Sequence, residues 1–256
     1  MINNDFKLVQ HKLPNTQPFV NIYPIGDLHV GSPNFNKKSF KRWKDTVTND
    51  PYAKIVMVGD MIDNGLKSSH TNSYDATLSP RQQKEFLLDE FSPLADKVIG
   101  AVQGNHEHRS TIMTDSYPLF EVLDKLDIGH VYRKNMCFVK VNVGRRTTQR
   151  QCSYTLVLAH GGSKTKTSKF AYTIDGMDAL ITGHIHSPDS AIPSKIVIDN
   201  NNGSVGLKDF VHLVVPSYQE LGGYTLRGMY MPQSSKVIPV LKLSGTEKHM
   251  SVIWDM

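Results

Sequence analysis

Five short apolar runs, each ending in polar residues beside glycine, constrain the fold of this chain more than any other feature. Three of them, residues 22–25, 55–58 and 98–102, have the length of single strands. The 55–58 run is apolar at every position, which is typical of a strand covered on both faces. Pro24 lies inside the first run and predicts that this strand is short or near a sheet edge.

The stretches that follow these runs have helical spacing. The predicted helices span residues 36–47, 80–92 and 117–126. In the first of them, Phe40, Trp43 and Val47 recur at intervals of three and four residues. Ser79 and Gln82 form the pattern of a capping box at the start of the second. The first half of the chain is therefore predicted to alternate strands and helices.

The second half of the chain changes to strands. The predicted strands lie near residues 137–143, 153–159, 179–182, 194–198, 210–215, 224–230, 236–242 and 249–254. Asn202-Gly203 and Gly222-Gly223 are turn signals between them. This order favours an α/β protein with layers around either one mixed sheet or two packed sheets. Periodicity alone does not separate the two arrangements.

The composition indicates one globular domain over residues 1–256, with 1–18 as a polar peripheral extension. Apolar residues make up 39% of the chain, and no apolar stretch approaches the roughly 18 residues that cross a bilayer. We therefore expect no membrane partner. Cys137 and Cys152 cannot form a disulfide framework, and no signal-peptide pattern is present at the start, so a cytoplasmic location is predicted. The net charge of +5 favours anionic partners such as nucleic acid, nucleotides or phosphorylated metabolites.

Asp, Asn or His residues follow the apolar runs in five places. The five blocks are Gly26-Asp27-Leu28-His29, Gly59-Asp60-Met61-Ile62-Asp63, Gly104-Asn105-His106-Glu107, His160-Gly161-Gly162 and Gly183-His184-Ile185-His186. In α/β sheets, ligands bind beyond the carboxyl ends of the strands. Asp27 and His29 are two residues apart in extended chain, so both side chains can face one ion. Oxygen and imidazole ligands without thiolate suit Mn, Fe, Zn or Co.

Each block alone has an ordinary structural explanation. A turn with an Asp cap, a buried hydrogen-bonded histidine and a chance pair on an edge strand are all common. The occurrence of all five in one order, each at the end of an apolar run, favours a metal site instead. The other histidines, at positions 11, 70, 108, 130, 212 and 249, are predicted to be surface or core residues. His108 is also a candidate to support the ligands, because it lies so close to His106.

Together the five blocks resemble the calcineurin-like metallophosphoesterase superfamily. Its pattern is Asp-x-His, Gly-Asp-x-x-Asp, Gly-Asn-His-Glu or Asp, a lone His and Gly-His-x-His, and every block occurs here in that order. The resemblance implies a four-layer αββα sandwich, in which two mixed β-sheets are flanked by helices. The metal motifs would lie within residues 27–186, and residues 187–256 would supply strands of the second sheet.

The resemblance also implies a dinuclear centre. Its two divalent ions are expected to be manganese before iron, zinc or cobalt. The implied metal ligands are Asp27, His29, Asp60, Asn105, His160, His184 and His186. One ion would bind Asp27, His29 and His186, and Asp60 would bridge to the ion held by the remaining three residues.

The implied chemistry is hydrolysis of a phosphodiester by a hydroxide that bridges the two metals. His106 would stay uncoordinated and act as the general acid on the leaving oxygen. Asp63 would orient the ring of His106 and favour its protonated form. No Ser or Cys nucleophile is required.

The substrates implied by the resemblance are DNA, RNA or a nucleotide. The intact Gly-His-x-His block is similar to the branch that holds the double-strand-break repair nucleases and cyclic nucleotide phosphodiesterases. The phosphoprotein phosphatases usually place an arginine directly after the second Asp, where this chain has Asn64. Two alternatives stay open: a phosphomonoesterase acting on small phosphates or phosphoproteins, and a non-catalytic scaffold that uses the same fold.

Several other features are candidates for substrate contact. The basic ones are the lysines and arginines within 37–44 and 162–169, together with Arg145, Arg146 and Arg150. The polar stretch 62–79 is a candidate lid or substrate-reading loop. Tyr218, Tyr224 and Tyr230 are candidates for stacking on a base. The alternative for all of them is an ordinary solvated surface or core packing, and the sequence leaves this open.

Overall fold

The computed structural model describes residues 5–66, 74–144, 150–222, 226, 229 and 236–255. Within these ranges the strands are β1 (Val9–Lys12), β2 (Phe19–Ile25), β3 (Ala53–Met57), β4 (Val98–Val102), β5 (Tyr132–Arg133), β6 (Met136–Val143), β7 (Cys152–Ala159), β8 (Ala179–Thr182), β9 (Asp189–Ala191), β10 (Ser194–Asp199), β11 (Ser204–Asp209), β12 (Val211–Val214), β13 (Ile238–Ser244) and β14 (Met250–Asp255). The α-helices are α1 (Lys37–Asn49), α2 (Pro80–Phe91), α3 (Asn105–Thr114), α4 (Pro118–Lys125) and α5 (Lys164–Ala171).

Two six-stranded mixed sheets form the centre of the molecule. The first sheet has the order β14-β13-β2-β3-β4-β5, and its strands β2 to β5 are parallel. The second sheet has the order β1-β6-β7-β8-β12-β9, with β7, β8 and β12 parallel. Gly100 on β4 lies against β6 and β7 so closely that a Cβ there would meet Val139 Cγ2 at 2.6 Å. The two sheets therefore pack face to face.

Helices cover the outer faces of both sheets. Phe40, Trp43 and Val47 of α1 are buried in the main core, as their spacing predicted. On the other side, Ala171 at the end of α5 belongs to a second buried cluster with Val157 of β7 and neighbouring apolar residues. This arrangement confirms the predicted four-layer αββα sandwich.

The predicted helices are confirmed with small shifts at their ends. The capping box of α2 is complete, with Ser79 and Gln82 each bonding the backbone of the other. Two helices were missed. Helix α3 begins inside the Gly-Asn-His-Glu block and has little amphipathic character to reveal it. Helix α5 lies in the basic stretch after His160; it begins at Lys164, and Ser163 before it is a suitable N-cap residue.

The prediction of a short or edge strand around Pro24 was wrong. Strand β2 has seven residues and lies between β13 and β3. Its pairing with β13 ends at Ile22, which faces Leu241, whereas its pairing with β3 continues to Ile25. Pro24 therefore lies beyond the β13 pairing, where its missing N–H breaks no bond to that strand.

The placement of residues 187–256 in the second sheet needs correction. Strands β9 and β12 do join that sheet, because Val211–Val214 is buried beside β8. Strands β13 and β14 extend the first sheet instead, as an antiparallel pair alongside β2. Strands β10 and β11 form a separate two-stranded hairpin. Most of the strand predicted at 224–230 lies outside the described residues.

The extension predicted at 1–18 contributes to the sandwich. Strand β1 adds a parallel edge to the second sheet beside β6, and Val9 and Leu13 are buried. In the described part of the chain, no helix combines the length and apolar character needed to cross a membrane. Cys137 and Cys152 are both buried and free.

Candidate metal centre

The polar blocks meet at one edge of the sandwich. The carboxyl ends of β2, β3 and β4 lie side by side in the first sheet, and those of β7 and β8 do so in the second. A bond of 2.9 Å from Asp27 N to Gly59 O ties two of the loops. The ring of His160 crosses between the sheets, with Nδ1 2.7 Å from Val58 O. Face-to-face packing of the sheets thus brings five distant blocks together.

A first group of ligand atoms comes from Asp27, His29 and His186. Nε2 of His186 lies 3.3 Å from Oδ1 of Asp27 and 3.2 Å from Nε2 of His29. All three ligand atoms lie within 4.8 Å of one another. Asp27 and His29 are almost completely buried, whereas His186 is partly exposed. The group has the side chains predicted for the first metal.

A second group surrounds Asn105. Its Oδ1 lies 2.9 Å from Nε2 of His160 and 3.0 Å from Nδ1 of His184. Nε2 of His160 is also 3.3 Å from Oδ2 of Asp60. Asn105 and His184 are exposed, whereas Asp60 is buried, so the centre opens on the side of this second group.

Asp60 lies between the two groups. Its Oδ2 is 3.3 Å from His160 Nε2 and 3.8 Å from His29 Nε2, so one oxygen faces both groups. The other oxygen, Oδ1, accepts a hydrogen bond of 2.8 Å from the backbone N–H of His106. This division of the two oxygens agrees with the bridging position that the resemblance implies for Asp60. Nε2 of His106 is also 3.8 Å from Oδ2, next to the groups.

The donor set fits divalent cations. A metal-binding imidazole is neutral at the ligating nitrogen, so with Nδ1 of His160 donating to Val58 O, Nε2 would present a lone pair to Asn105 Oδ1 and Asp60 Oδ2. Three acceptors then face each other, which is unfavourable without a cation between them. Oδ1 of Asp27 is buried, and no hydrogen-bond partner for it is present in the described part of the chain. A bound metal would satisfy each of these atoms.

The backbone at the centre is strained. Five of the predicted ligands have positive φ angles: Asp27 (49°), His29 (50°), Asp60 (51°), His184 (72°) and His186 (53°). Positive φ is uncommon in residues other than glycine and typically costs about 1–3 kcal/mol where the surroundings impose it. Such residues concentrate at functional sites, and here they coincide with the ligand set.

Glycines next to the ligands allow close approach of the loops. Gly59 has a φ of +86°, and a side chain there would collide with the backbone of Gly104. A Cβ on Gly104 would in turn collide with the carboxylate of Asp60. The close approach of these two blocks therefore requires a glycine in each of them.

The ionisation of the centre reflects an excess of buried acceptors. Burial disfavours the ionised form of Asp60, but the neighbouring histidines, above all His160, hold its pKa well below the usual range. Burial lowers the pKa of His160, but the charges of Asp60 and Asp27 and the hydrogen bonds to Asp60 and Val58 O together outweigh it and raise the pKa to about 10. The carboxylates thus favour positive charge at His29 and His160, which is the preference expected of a cation site.

His106 is held by Asp63, but through the backbone. Nδ1 of His106 is 2.6 Å from the carbonyl oxygen of Asp63 and 3.7 Å from its carboxylate. Burial first, and then the charge of His29, lower the pKa of His106 to about 4. The hydrogen bond to Asp63 O acts in the opposite direction and raises this pKa, so the role expected of Asp63 stays a prediction. Desolvation outweighs the attraction of the carboxylates there.

Four supporting residues were missed by the sequence analysis. Glu107 is buried and accepts backbone N–H bonds of 2.7–3.2 Å from Asp60, Met61, Ile62 and Gly104. Asn64 donates to His106 O at 2.6 Å and to Ser110 Oγ at 2.9 Å. Gln83 accepts from Asn64 N at 2.9 Å, and Arg109 contacts the ring of His106. Only Glu107 carried a sequence signal, as the last residue of its block.

The candidate substrate contacts have a mixed outcome. In α1, Lys41, Arg42 and Lys44 are paired with Asp45, Asp255 and Glu90, so these cations are neutralised within the chain. Tyr218 is buried against Phe40 and serves packing, not base stacking. His108 contacts Gln103 at 3.2 Å. The candidates Arg145, Arg146, Tyr224 and Tyr230, and residues 67–73 of the 62–79 loop, lie outside the described residues.

The sequence model of the calcineurin-like phosphoesterases matches residues 20–188, which include every predicted ligand. The chain belongs to this family. The calcineurin-like phosphoesterases are metal-dependent hydrolases of phosphoesters, and the His and Asp groups described above can bind metal. The predicted superfamily and the predicted fold class are thereby confirmed.

Solved structures similar to this calcineurin-like phosphoesterase include three with 12% identity. Vps29 from Entamoeba histolytica, crystallised with Zn²⁺, has a TM-score of 0.39, with 92% of this chain and 98% of that chain covered. A metallophosphoesterase from Sphaerobacter thermophilus has a TM-score of 0.42, with 93% of this chain and 89% of that chain covered. The nuclease MPE from Pseudomonas putida has a TM-score of 0.36, with 91% of this chain and 87% of that chain covered. No curated protein matches the chain.

Proposed function

We propose that this protein hydrolyses phosphodiester bonds at a centre of two divalent metal ions, with nucleic acid or a nucleotide as substrate. The observation that carries the proposal is the position of Asp60. Its Oδ2 faces His160 on one side and His29 on the other, while its Oδ1 is engaged by the backbone of His106. A carboxylate placed in this way between two sets of donors suits a bridging ligand.

In this proposal, Asp27, His29 and His186 hold one ion, and Asn105, His160 and His184 hold the other. Manganese is the first choice, because the set combines oxygen and imidazole donors without thiolate. When bound, such a pair of ions lowers the pKa of water and neutralises charge on the phosphoryl oxygens. The exposed side at Asn105 and His184 gives the substrate access to the centre.

His106 is proposed as the proton donor to the leaving oxygen. Its Nδ1 is engaged by Asp63 O, which leaves Nε2 turned towards Asp60 and the centre. An anionic phosphoester beside Nε2 would stabilise the imidazolium and offset the effect of burial. The ring would therefore take up its proton together with the substrate and deliver it when the bond to the leaving oxygen breaks.

A diester is proposed rather than a monoester for two reasons. The position after Asp63 carries Asn64, whose side chain is engaged by His106 O and Ser110 and does not supply positive charge to a phosphate. The net charge of +5 suits a polyanionic substrate.

The test is an assay of the purified protein with Mn²⁺ on paired substrates. These are bis-p-nitrophenyl phosphate, p-nitrophenyl phosphate, cyclic nucleotides, and linear single- and double-stranded DNA. We expect a higher kcat/KM on the diester than on the monoester, and cleavage of a nucleotide or DNA. A preference for the monoester would indicate a phosphomonoesterase. Metal binding with no hydrolysis would indicate a scaffold.

The cellular setting belongs to the same proposal. Two free buried cysteines suit a reducing compartment, so we expect the protein to act in the cytoplasm on DNA, RNA or nucleotides there. Localisation of a tagged copy by fluorescence in the producing cell tests this expectation. Recovery of the protein outside the cytoplasm would contradict it.

A further inference from the structure

Arg109 lies along the ring of the proposed proton donor. It follows His106 by three residues on helix α3, so both side chains are on the same face of the helix. Its Nη1 is 3.2 Å from His106 Nδ1, and its Nη2 is 3.1 Å from His106 Nε2. The two nearly equal distances place the guanidinium against both nitrogens of the imidazole.

The same guanidinium also reaches the group that orients His106. Nη1 is 3.4 Å from the carbonyl oxygen of Asp63. The same oxygen lies 2.6 Å from Nδ1 of His106. Arg109 and Asp63 O therefore restrain the imidazole from two directions. Asn64 fixes the backbone at the same place through its bond to His106 O.

The charge of Arg109 is not neutralised by a carboxylate. Among the described residues, no Asp or Glu oxygen lies within 4.0 Å of its guanidinium, whereas Arg42 and Arg81 each pair with an acid. The guanidinium nitrogens of Arg109 instead contact the two ring nitrogens of His106 and the carbonyl oxygen of Asp63.

We propose that Arg109 is a positioning residue that holds His106 in the orientation for proton transfer to the leaving oxygen. This inference rests on the proposed function. In the reaction, the oxygen of water bonds to phosphorus and the bond to the leaving oxygen breaks. The proton on His106 Nε2 passes to that oxygen, and the proton lost by the water passes to solvent. Arg109 contributes through the ring it restrains.

The first experiment compares leaving groups. Arg109→Gln should lower kcat about tenfold on a dinucleotide, because misorientation of a general acid removes part of its roughly 10²–10⁴-fold contribution. The loss on bis-p-nitrophenyl phosphate should be smaller, because p-nitrophenolate leaves without protonation. Arg109→Lys should resemble Arg109→Gln more than the wild type, since an ammonium cannot span both ring nitrogens. Arg81→Gln, at an exposed arginine on α2, is the matched control and should retain full activity.

The second experiment asks whether Arg109 acts through His106. In a His106→Ala background, Arg109→Gln should change kcat on the dinucleotide by less than about twofold, because the ring it orients is gone. Full additivity of the two substitutions would overturn the proposal. An equal loss on both leaving groups would overturn it as well.

A third measurement does not depend on activity. The imidazole ¹⁵N resonances of His106 in the metal-free protein can be identified by their absence in His106→Ala. They should shift or broaden in Arg109→Gln and stay unchanged in Arg81→Gln. Unchanged resonances in Arg109→Gln would contradict the positioning role. An inactive wild type with shifted resonances would instead refute the proposed function alone.

Discussion

At the residue scale, the centre depends on side chains that have little freedom. Asp60 divides its two oxygens between the ligand groups and the backbone of His106, and its own φ is 51°. His160 is fixed from behind by Val58 O at 2.7 Å. A substitution at such a residue is expected to remove one predicted ligand, so we expect its main effect on metal binding and catalysis.

Replacing Asp60 by Asn should remove metal. An amide keeps the shape but loses the negative charge that faces both ligand groups, and we expect the loss of at least one of two equivalents of Mn²⁺. Activity should fall by at least about 10²-fold, because the cation supplies several kcal/mol of transition-state stabilisation. Metal content after dialysis measures this, with the exposed Asp45→Asn as control. Two retained equivalents in Asp60→Asn would contradict the bridging role.

Replacing His106 by Ala should separate catalysis from metal binding. The ring lies 3.8 Å from Asp60 Oδ2 but outside the proposed ligand set, so Mn²⁺ should remain bound. Turnover of a dinucleotide should fall by about 10²–10⁴-fold, the usual contribution of a general acid. Steady-state kinetics and metal analysis of the same sample test both expectations. Loss of metal together with activity would show that His106 is a ligand.

The site residues were predictable from the sequence because each stands at the end of an apolar run. Their supporting residues were not. Arg109 and Asn64 carry no pattern of their own. Their contacts with His106 become evident only when α3 and the loop after β3 are placed together. The lowered pKa of His106 was also beyond the sequence, since it depends on burial and on the charge of His29.

At the element scale, helix α3 is joined to the β3 loop by Glu107. Its carboxylate accepts four backbone N–H groups, from Asp60, Met61, Ile62 and Gly104. The helix therefore begins where the loop that carries Asp60 is fixed. This contact explains why a helix starts inside a ligand block, which hydrophobic periodicity did not predict.

Replacing Glu107 by Gln should destabilise this junction. The amide nitrogen would replace an oxygen that now accepts hydrogen bonds from backbone N–H groups. The buried N–H donors would be left unsatisfied, at a cost of about 2–4 kcal/mol. Urea unfolding of the metal-free protein measures the free energy of unfolding. The exposed Glu85→Gln is the control and should change it by less than about 0.5 kcal/mol. Equal free energies of unfolding for the two variants would contradict the role of Glu107 in joining α3 to the β3 loop.

At the scale of the whole molecule, the order of strands was the least predictable feature. The alternation of strands and helices indicated an α/β protein, and the family resemblance supplied the two sheets. The distribution of residues 187–256 between both sheets was not predicted, because β12 and β13 have similar apolar runs but pair with different neighbours. Pairing partners depend on contacts between distant segments, which local patterns do not encode.

The two sheets are also linked by a titratable contact. His11 on β1 of the second sheet approaches Ile99 O on β4 of the first sheet at 2.9 Å. Burial lowers the pKa of His11 below its ordinary value of about 6.5, so the folded state favours the neutral ring. The folded pKa is below the unfolded pKa, and stability from this residue is therefore present above pH 6.5 and lost as the pH falls.

His11→Gln should reduce this pH dependence. The glutamine amide can donate to Ile99 O but does not titrate. Between pH 8 and pH 5.5, the free energy of unfolding of the metal-free wild type should fall more than that of His11→Gln, as measured by urea titration. The metal-site histidines titrate in both proteins and cancel in the comparison. Parallel pH profiles would contradict the shift assigned to His11.

The most direct test of the whole account is the position of bound metal. Crystals of the protein grown with Mn²⁺ should give two anomalous peaks at the manganese edge, separated by about 3.5–4 Å and flanking Asp60. One should lie by Asp27 and His186, and the other by His160 and His184. A map with no peak beside Asp60, or with manganese only at other surfaces, would contradict the dinuclear centre.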